Sequence, residues 1–173
     1  NNYSSFWLTK GDYLRLKNLE IGYTFIGQNY GAKKTDRIQQ GIKSAIKISF
    51  LFCLIISVGV FIFARPLMTI FIDSSETEII NIGVDYLRIE GSFYFGIGIL
   101  FLLYGFYRAI NFPSMSVILT IISLGTRVGL AYYLASIPSI GVIGIWWSIP
   151  IGWALADIFG IVYYKRKIKQ LHF

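Results

Sequence analysis

Arg127 and Asp157 are the two charged residues in a run that is otherwise free of charge from Ala109 to Tyr164. An ionisable side chain surrounded by this much apolar sequence is costly in lipid, so it marks a pairing partner, a proton or ion relay, or a substrate contact. Two roles fit Asp157. It can be a near-interface carboxylate satisfied by Trp153, Tyr164 or water, which its closeness to the headgroups favours, or it can relay a proton or cation. Arg127 lies deeper, and it suits either holding the bundle interior through carbonyls or phosphate headgroups, or touching a substrate directly. Phe93, Ile97, Leu100 and Tyr104 share a helical face, where aromatic rings can hold a lipophilic cation face-on or pack against lipid and neighbouring helices.

Other chemistries have little to rest on. His172 is the sole histidine, and no Ser/His/Asp set, paired catalytic carboxylates or metal-ligand cluster is evident, so an enzyme is not expected. Cys53 is a single thiol in an apolar run and reads as a small core hydrophobe. "GQNYGAKKT" approaches a phosphate-binding loop but has Ala32 where the template needs glycine and Lys34 where it needs Ser or Thr.

The elements that position these residues are membrane spans. The chain has 173 residues, 55% hydrophobic and 14% charged, with a mean hydropathy of +0.60, which is too apolar for an ordinary soluble domain. Its net charge of +7 comes from residues flanking uncharged runs and not from a basic stripe with aromatic partners, so nucleic acid is not an expected partner. Crossing a core of about 30 Å takes about 20 apolar residues. Ile48 to Ala64, bracketed by Lys43 and Lys47 before and Arg65-Pro66 after, predicts a helix over about 42–64, with the proline as its stop. Gly91 to Tyr107, extended upstream by Ile79, Ile82, Tyr86 and Ile89 at helical spacing, predicts one long helix over about 78–108. Pro138 and the glycines of "ASIPSIGVIG" divide the rest into helices over about 114–135 and 142–164. On those bounds Arg127 lies about 20 Å above Ser114 and Asp157 about 10 Å from Tyr164. The offset of about 9 Å makes a direct salt bridge a full stretch for the arginine.

Orientation follows from Lys and Arg, whose excess stays cytoplasmic. Lys33, Lys34, Arg37, Lys43 and Lys47 precede the first span, Lys165, Arg166, Lys167 and Lys169 follow the last, and Arg108 lies in the intermediate loop on the same side. Opposite them, Arg65 and Arg88 stand among Asp73, Glu76, Glu78, Asp85 and Glu90. Both ends of the helical part are therefore expected in the cytoplasm, in an inner membrane and among its lipids. Gly125 and Gly129 form a small-xxx-small pair expected to admit a close neighbour, and Pro150 is expected to kink the last helix.

Residues 1–25 differ in kind. "SSFWLTKGDYLRLKNLEIGYTF" alternates imperfectly, carries too many charges to span, and predicts a strand-like or disordered tail. The chain starts at Asn1 without a signal peptide and is expected to be part of something longer. In the loop that follows, Gly27 and Gly31 allow tight or positive-φ backbone, Gln28 and Asn29 can satisfy free amides, and Thr35 or Asp36 can cap the next helix.

From Phe25 onward the order "FIGQNYGAKKTDRIQQG", an apolar helix, "YGFYRAINFPS", "GVIGIWWSIPIGWALAD" and a helix closing on a basic tail resembles the C-terminal part of the multidrug and toxic compound extrusion (MATE) transporters. Gly27, Gln28, Asn29, Gly31, Ala32 and Arg37 carry the most specific piece, a cytoplasmic loop between the eighth and ninth of twelve helices in that family. The resemblance implies an all-α membrane protein over residues 26–173, its four helices being the ninth to twelfth of a C-terminal lobe. It implies export of organic, often cationic, compounds against sodium ions or protons, with no other cofactor. It also implies dependence on an N-terminal lobe and on helices seven and eight, without which the chain should be inactive. Phe93, Tyr104 and Arg127 are the substrate-binding candidates on this reading, and Asp157 the candidate relay. Some relatives bind the coupling cation through a carboxylate in the tenth helix, but Gly91 to Tyr107 contains no Asp or Glu. A lipid-linked saccharide flippase of related architecture is the alternative within transport.

The tail "DYLRLKNLEIGYTF" resembles a C-terminal strand of SusC/RagA-type TonB-linked outer-membrane proteins. This implies a seam near Thr24-Phe25, either a fusion or an assembly artefact, and a nutrient-receptor fragment as a further alternative.

Overall fold

The boundaries of the helices are set by local chemistry at their ends, and their lengths by the uncharged runs between. The computed structural model describes residues 24–170, and the regular elements among the described residues are all α-helical. They are α1 over residues 24–31, α2 Thr35–Thr69, α3 Thr77–Ser92, α4 Tyr94–Ala109, α5 Pro113–Ala135 and α6 Val142–Gln170. The chain thus has the all-α membrane class its composition predicts. Helices α2, α5 and α6 are each long and apolar enough to cross a bilayer, and α3 with α4 passes the same test as a pair bent by 46° at the junction.

Several ends differ from those read in the sequence. α2 has 35 residues, about 52 Å of helix, and it exceeds the 42–64 span at both ends. Neither Thr35 nor Asp36 is its N-cap. Lys34 takes that position without a side-chain cap, and Thr35 is already helical. The positive φ falls on Lys33 (56°) and not on Gly27 or Gly31, which sit in α1. The Lys34 amide donates to the Asn29 carbonyl at 2.9 Å and so closes α1 through the left-handed residue between them. At the other end Pro66 lies inside α2 instead of stopping it. Proline this late removes one ladder bond, and the Thr69 hydroxyl donates back to the Pro66 carbonyl at 2.9 Å, which holds the last turn.

The single helix expected over 78–108 is broken at Phe93 (φ −113°, ψ 16°). The preceding residues explain why. Gly91 is a weak helix former, and the Ser92 hydroxyl donates to the Arg88 carbonyl at 2.6 Å, a back-bond that bends helices. Asn111, at φ 59°, ends α4 in the left-handed conformation, and Pro113 opens α5 at the first-turn position where its missing N–H costs nothing. The strand expected over residues 1–25 lies outside the described residues except for Thr24 and Phe25, which are helical.

Packing centres on α6. It lies along α5 and also meets α4 and α3, while α2 packs on α3 and α4. Leu100, Leu103, Phe106, Tyr107, Met115, Leu119, Trp153 and Ala156 form the core, with Ile38, Ile110 and Ile168 at the end where α2 begins and α6 finishes. The fully buried Tyr107 donates its hydroxyl to the Gly160 carbonyl at 2.7 Å, tying α4 to α6.

Candidate functional site

Close approach of α6 to its neighbours brings a cluster of polar side chains together within the bundle. A Cβ on Gly152 would lie 2.7 Å from the Ser123 carbonyl oxygen and 2.8 Å from Arg127 Cγ, so glycine lets α6 press on α5 where Arg127 projects. One residue further along α6, Trp153 is 4% exposed, and its ring lies 5.3 Å from the Arg127 guanidinium carbon, within cation–π range. One turn beyond is Asp157, 6% exposed. Gly96 of α4 lies against both: a Cβ there would be 3.5 Å from Trp153 Cβ and 3.7 Å from Asp157 Oδ2. From α3, Glu90 lies within reach of the Arg127 charge, with the phenols of Tyr86 and Tyr94 beside its carboxylate.

Four buried atoms of this cluster have no hydrogen-bond partner among the described residues: Glu90 Oε1, Arg127 Nε, Trp153 Nε1 and Asp157 Oδ1. Buried polar atoms are normally paired. Three helices, α3, α5 and α6, therefore each bring an unpaired buried polar atom to this part of the bundle.

The residues singled out in the sequence scatter more than that reading expects. Asp157 is not met by Trp153, whose own N–H is unpartnered. Tyr164 packs instead against the Phe106 ring at 4.9 Å. Arg127 turns to the Trp153 ring and lies within electrostatic reach of Glu90. Phe93 sits at the α3–α4 bend with its ring 5.5 Å from that of Trp147. Tyr104, about 16 Å further along the chain's helical rise, accepts from the Thr120 hydroxyl at 3.0 Å. Phe93 and Tyr104 thus do not share one site. Gly27, Gln28, Asn29, Gly31 and Ala32 form α1 and its exit turn, and the Asn29 side-chain amide donates to the Phe25 carbonyl at 2.8 Å. Arg37 is exposed in the first turns of α2. No atom comes within 4 Å of a Cβ placed on Gly125 or Gly129, so the close approach expected there is made by Gly152. Sequence reading missed Glu90, grouping it with the outer acids. The available signal was its spacing, four residues after Tyr86 and four before Tyr94, on one helical face.

A protein-family model, MatE, matches residues 22–133. The chain belongs to the MatE family. The multidrug export protein MepA of Staphylococcus haemolyticus (strain JCSC1435) is 33% identical to this MatE chain over 154 residues, covering 88% of the chain and 33% of MepA. A multidrug resistance MATE transporter of the MOP superfamily, solved in an outward-facing conformation, superposes with a TM-score of 0.82 at 26% identity, over 88% of this chain and 34% of its own. A MOP superfamily transporter from Pyrococcus furiosus Vc1 (DSM3638) superposes with a TM-score of 0.82 at 25% identity, again over 88% and 34%. The chain spans about a third of the length of these relatives. MatE membership makes it part of a multi-pass membrane transporter family. The barrel-strand origin of the tail gains no support: the family match begins at residue 22, ahead of the supposed seam at Thr24-Phe25, and both of those residues are helical.

Proposed function

We propose that the chain works as part of a secondary antiporter that exports organic, often cationic, compounds in exchange for sodium ions or protons. The observation that carries this reading is the 33% identity to a multidrug export protein over 88% of the chain. Lys and Arg clustered before α2 and after α6 support an orientation with both ends of the helical part on the cytoplasmic side of an inner membrane. Transport by alternating access requires two lobes around a site between them. The partners we assign are therefore membrane lipids, an N-terminal lobe and helices seven and eight, and the 173-residue chain alone is inactive. It is a transporter component and not an enzyme. Arg127 and the Phe93–Trp147 pair are the points we assign to substrate contact, and Asp157 to the coupling ion. Neither a saccharide flippase nor a nutrient receptor is favoured by the relatives.

The test is export. The intact protein, produced in cells lacking their main efflux pumps, is expected to lower accumulation of a lipophilic cationic dye such as ethidium, and collapse of the sodium and proton gradients is expected to restore it. The 173-residue chain produced alone is expected to leave accumulation unchanged. Unchanged dye accumulation with the intact protein present in the membrane would overturn the reading.

A further inference from the structure

We propose that the aromatic shelf made by Phe112 and Tyr163, with the Lys167 ammonium above it, seats the phosphate headgroup of an anionic phospholipid. Two helices build the shelf at the basic end of the bundle. Tyr163 and Lys167 stand one turn apart on the same face of α6. Phe112, at the start of α5, lays its ring against that of Tyr163, with centroids 5.8 Å apart and planes inclined by only 11°. The Lys167 ammonium lies 5.9 Å from the centroid of the Phe112 ring, within cation–π range. The ring fixes where the charge sits but brings no negative charge to cancel it, and the ammonium has three donors to offer.

The depth suits a headgroup. The apolar run of α6 ends at Tyr164, so Lys167 lies about 4.5 Å further along the helix, at the level where aromatic rings and long basic side chains meet the membrane–water interface. From the shelf inward, α5 leaves Val117, Ile121 and Leu124 exposed at helical spacing, an apolar face that acyl chains can cover.

The elements around the shelf supply little negative charge. α4 and α5 contain no Asp or Glu, and the sole acid of α6, Asp157, stands ten residues before Lys167, about 15 Å of helix away. Asp36, in the first turn of α2, is the one acid among the described residues at this end, against Arg37, Arg108 and the basic last turns of α6. α5 opens at Phe112 without a side-chain cap, which turns the positive end of its dipole toward the same ring. The negative end of the α6 dipole favours cations in its last turn, but it acts on Lys167 and Lys169 alike, whereas the shelf holds Lys167. A phosphodiester brings the missing anion, and its oxygens accept from the ammonium. A free phosphate ion offers the same oxygens but no chains to lie along α5, so the lipid is the source assigned. Headgroup binding is separate from export and does not depend on which leaflet faces the cytoplasm.

Thermal unfolding of the intact protein in phosphatidylcholine nanodiscs, with and without phosphatidylglycerol, tests the seat. Phosphatidylglycerol is expected to raise the midpoint of the parent by several degrees, since a ligand of the folded state stabilises it. Lys167→Gln and Phe112→Leu should each lose most of that rise, and Lys167→Arg should keep it. Arg166→Gln removes the same charge from the neighbouring, exposed position and should also keep most of the rise. Midpoints in phosphatidylcholine alone separate general damage from loss of the lipid effect. A parent that shows no rise would overturn the proposal. Equal losses in Arg166→Gln and Lys167→Gln would overturn the seat in favour of diffuse attraction by the basic end. Inorganic phosphate at matched ionic strength should leave the phosphatidylcholine midpoint in place, and a rise that Lys167→Gln abolishes would overturn the lipid as the source.

Discussion

Helices α2 and α6 are both long and apolar enough to cross a membrane, yet they use that apolarity differently. Through its span α2 buries little beyond Ser57 and Ala64 and leaves Ile48, Leu51, Phe52, Ile55 and Phe63 exposed. Over a similar stretch α6 buries Ser148, Trp153, Ala156 and Asp157 along with Gly152 and Gly160. Lipid tails are as apolar as leucine, so a hydrophobic surface does not draw one membrane helix to another, and small residues that permit backbone contact do. The polar cluster lies on the helix with the close contacts. α2 meets the bundle through glycines of its neighbours, a Cβ on Gly91 lying 2.8 Å from Val60 Cγ1 and one on Gly98 2.8 Å from Cys53 Sγ, whereas α6 carries the small residues itself.

The sharpest way to break this comparison is to give α6 a side chain where it has none. Gly160→Leu places atoms where even a Cβ would be 2.6 Å from Leu103 Cδ1, and Gly152→Leu drives into the Ser123 carbonyl. Overpacking of this kind costs about 1–3 kcal/mol or more. Both variants are expected to lose most of their monodisperse peak in fluorescence-detected size-exclusion chromatography after mild heating. Gly59→Leu on α2, where nothing lies within 4 Å, is expected to stay within about 0.5 kcal/mol of the parent. Equal losses at Gly59 and Gly152 would mean that α2 is packed as tightly as α6.

A smaller effect is expected at Tyr107, whose hydroxyl links α4 to the α6 backbone at Gly160. Tyr107→Phe keeps the ring and removes one buried hydrogen bond, worth about 1 kcal/mol. The shift should show as a lower midpoint in thermal unfolding followed by loss of helical circular dichroism. Phe52→Leu, an exposed swap on α2, should leave that midpoint in place. A drop at Phe52 that matches the one at Tyr107 would assign α2 a packing role that its exposed face does not show.

The same contrast explains what the sequence made legible. Span number and class follow from uncharged runs between basic flanks, because the cost of charge in lipid is a one-dimensional property of the chain. The helix ends were less legible, because Pro66 within three residues of a terminus costs one bond and a nearby threonine offsets it. The break at Phe93 depended on Ser92 choosing the Arg88 carbonyl, a local competition that periodicity does not register. The site was half legible. Arg127 and Asp157 stand out as charges in apolar runs, but Glu90, within electrostatic reach of Arg127, lies one residue before its run and reads as a boundary charge. Gly125 and Gly129 show the limit of choosing one spacing motif by its glycines, since the buried small-residue row Ser148, Gly152, Ala156 and Gly160 on α6 has the same spacing and makes the contact.

The turn between α2 and α3 offers the smallest and most local test. Asp73 Oδ1 accepts from the Ser75 amide at 2.9 Å and from the Ser75 hydroxyl at 2.8 Å. These bonds favour the ionised form and hold the carboxyl below its usual range, although the side chain is open to solvent. The unfolded chain therefore takes up this proton more readily than the folded one. The contribution to stability is present above the ordinary aspartate value of about 3.9 and is lost as pH falls through the lower folded value. Asp73→Ala should speed amide exchange of Ser75 through Thr77 at neutral pH, and the difference from the parent should vanish in acid. These turn bonds act beside the small buried cluster of Ala64, Ile80 and Val84 that joins the end of α2 to α3, so their effect is local. If the variant's exchange matches the parent's at neutral pH, the outer end of α2 is held by the Arg65–Asn81 hydrogen bond and the Ile80 and Val84 contacts instead.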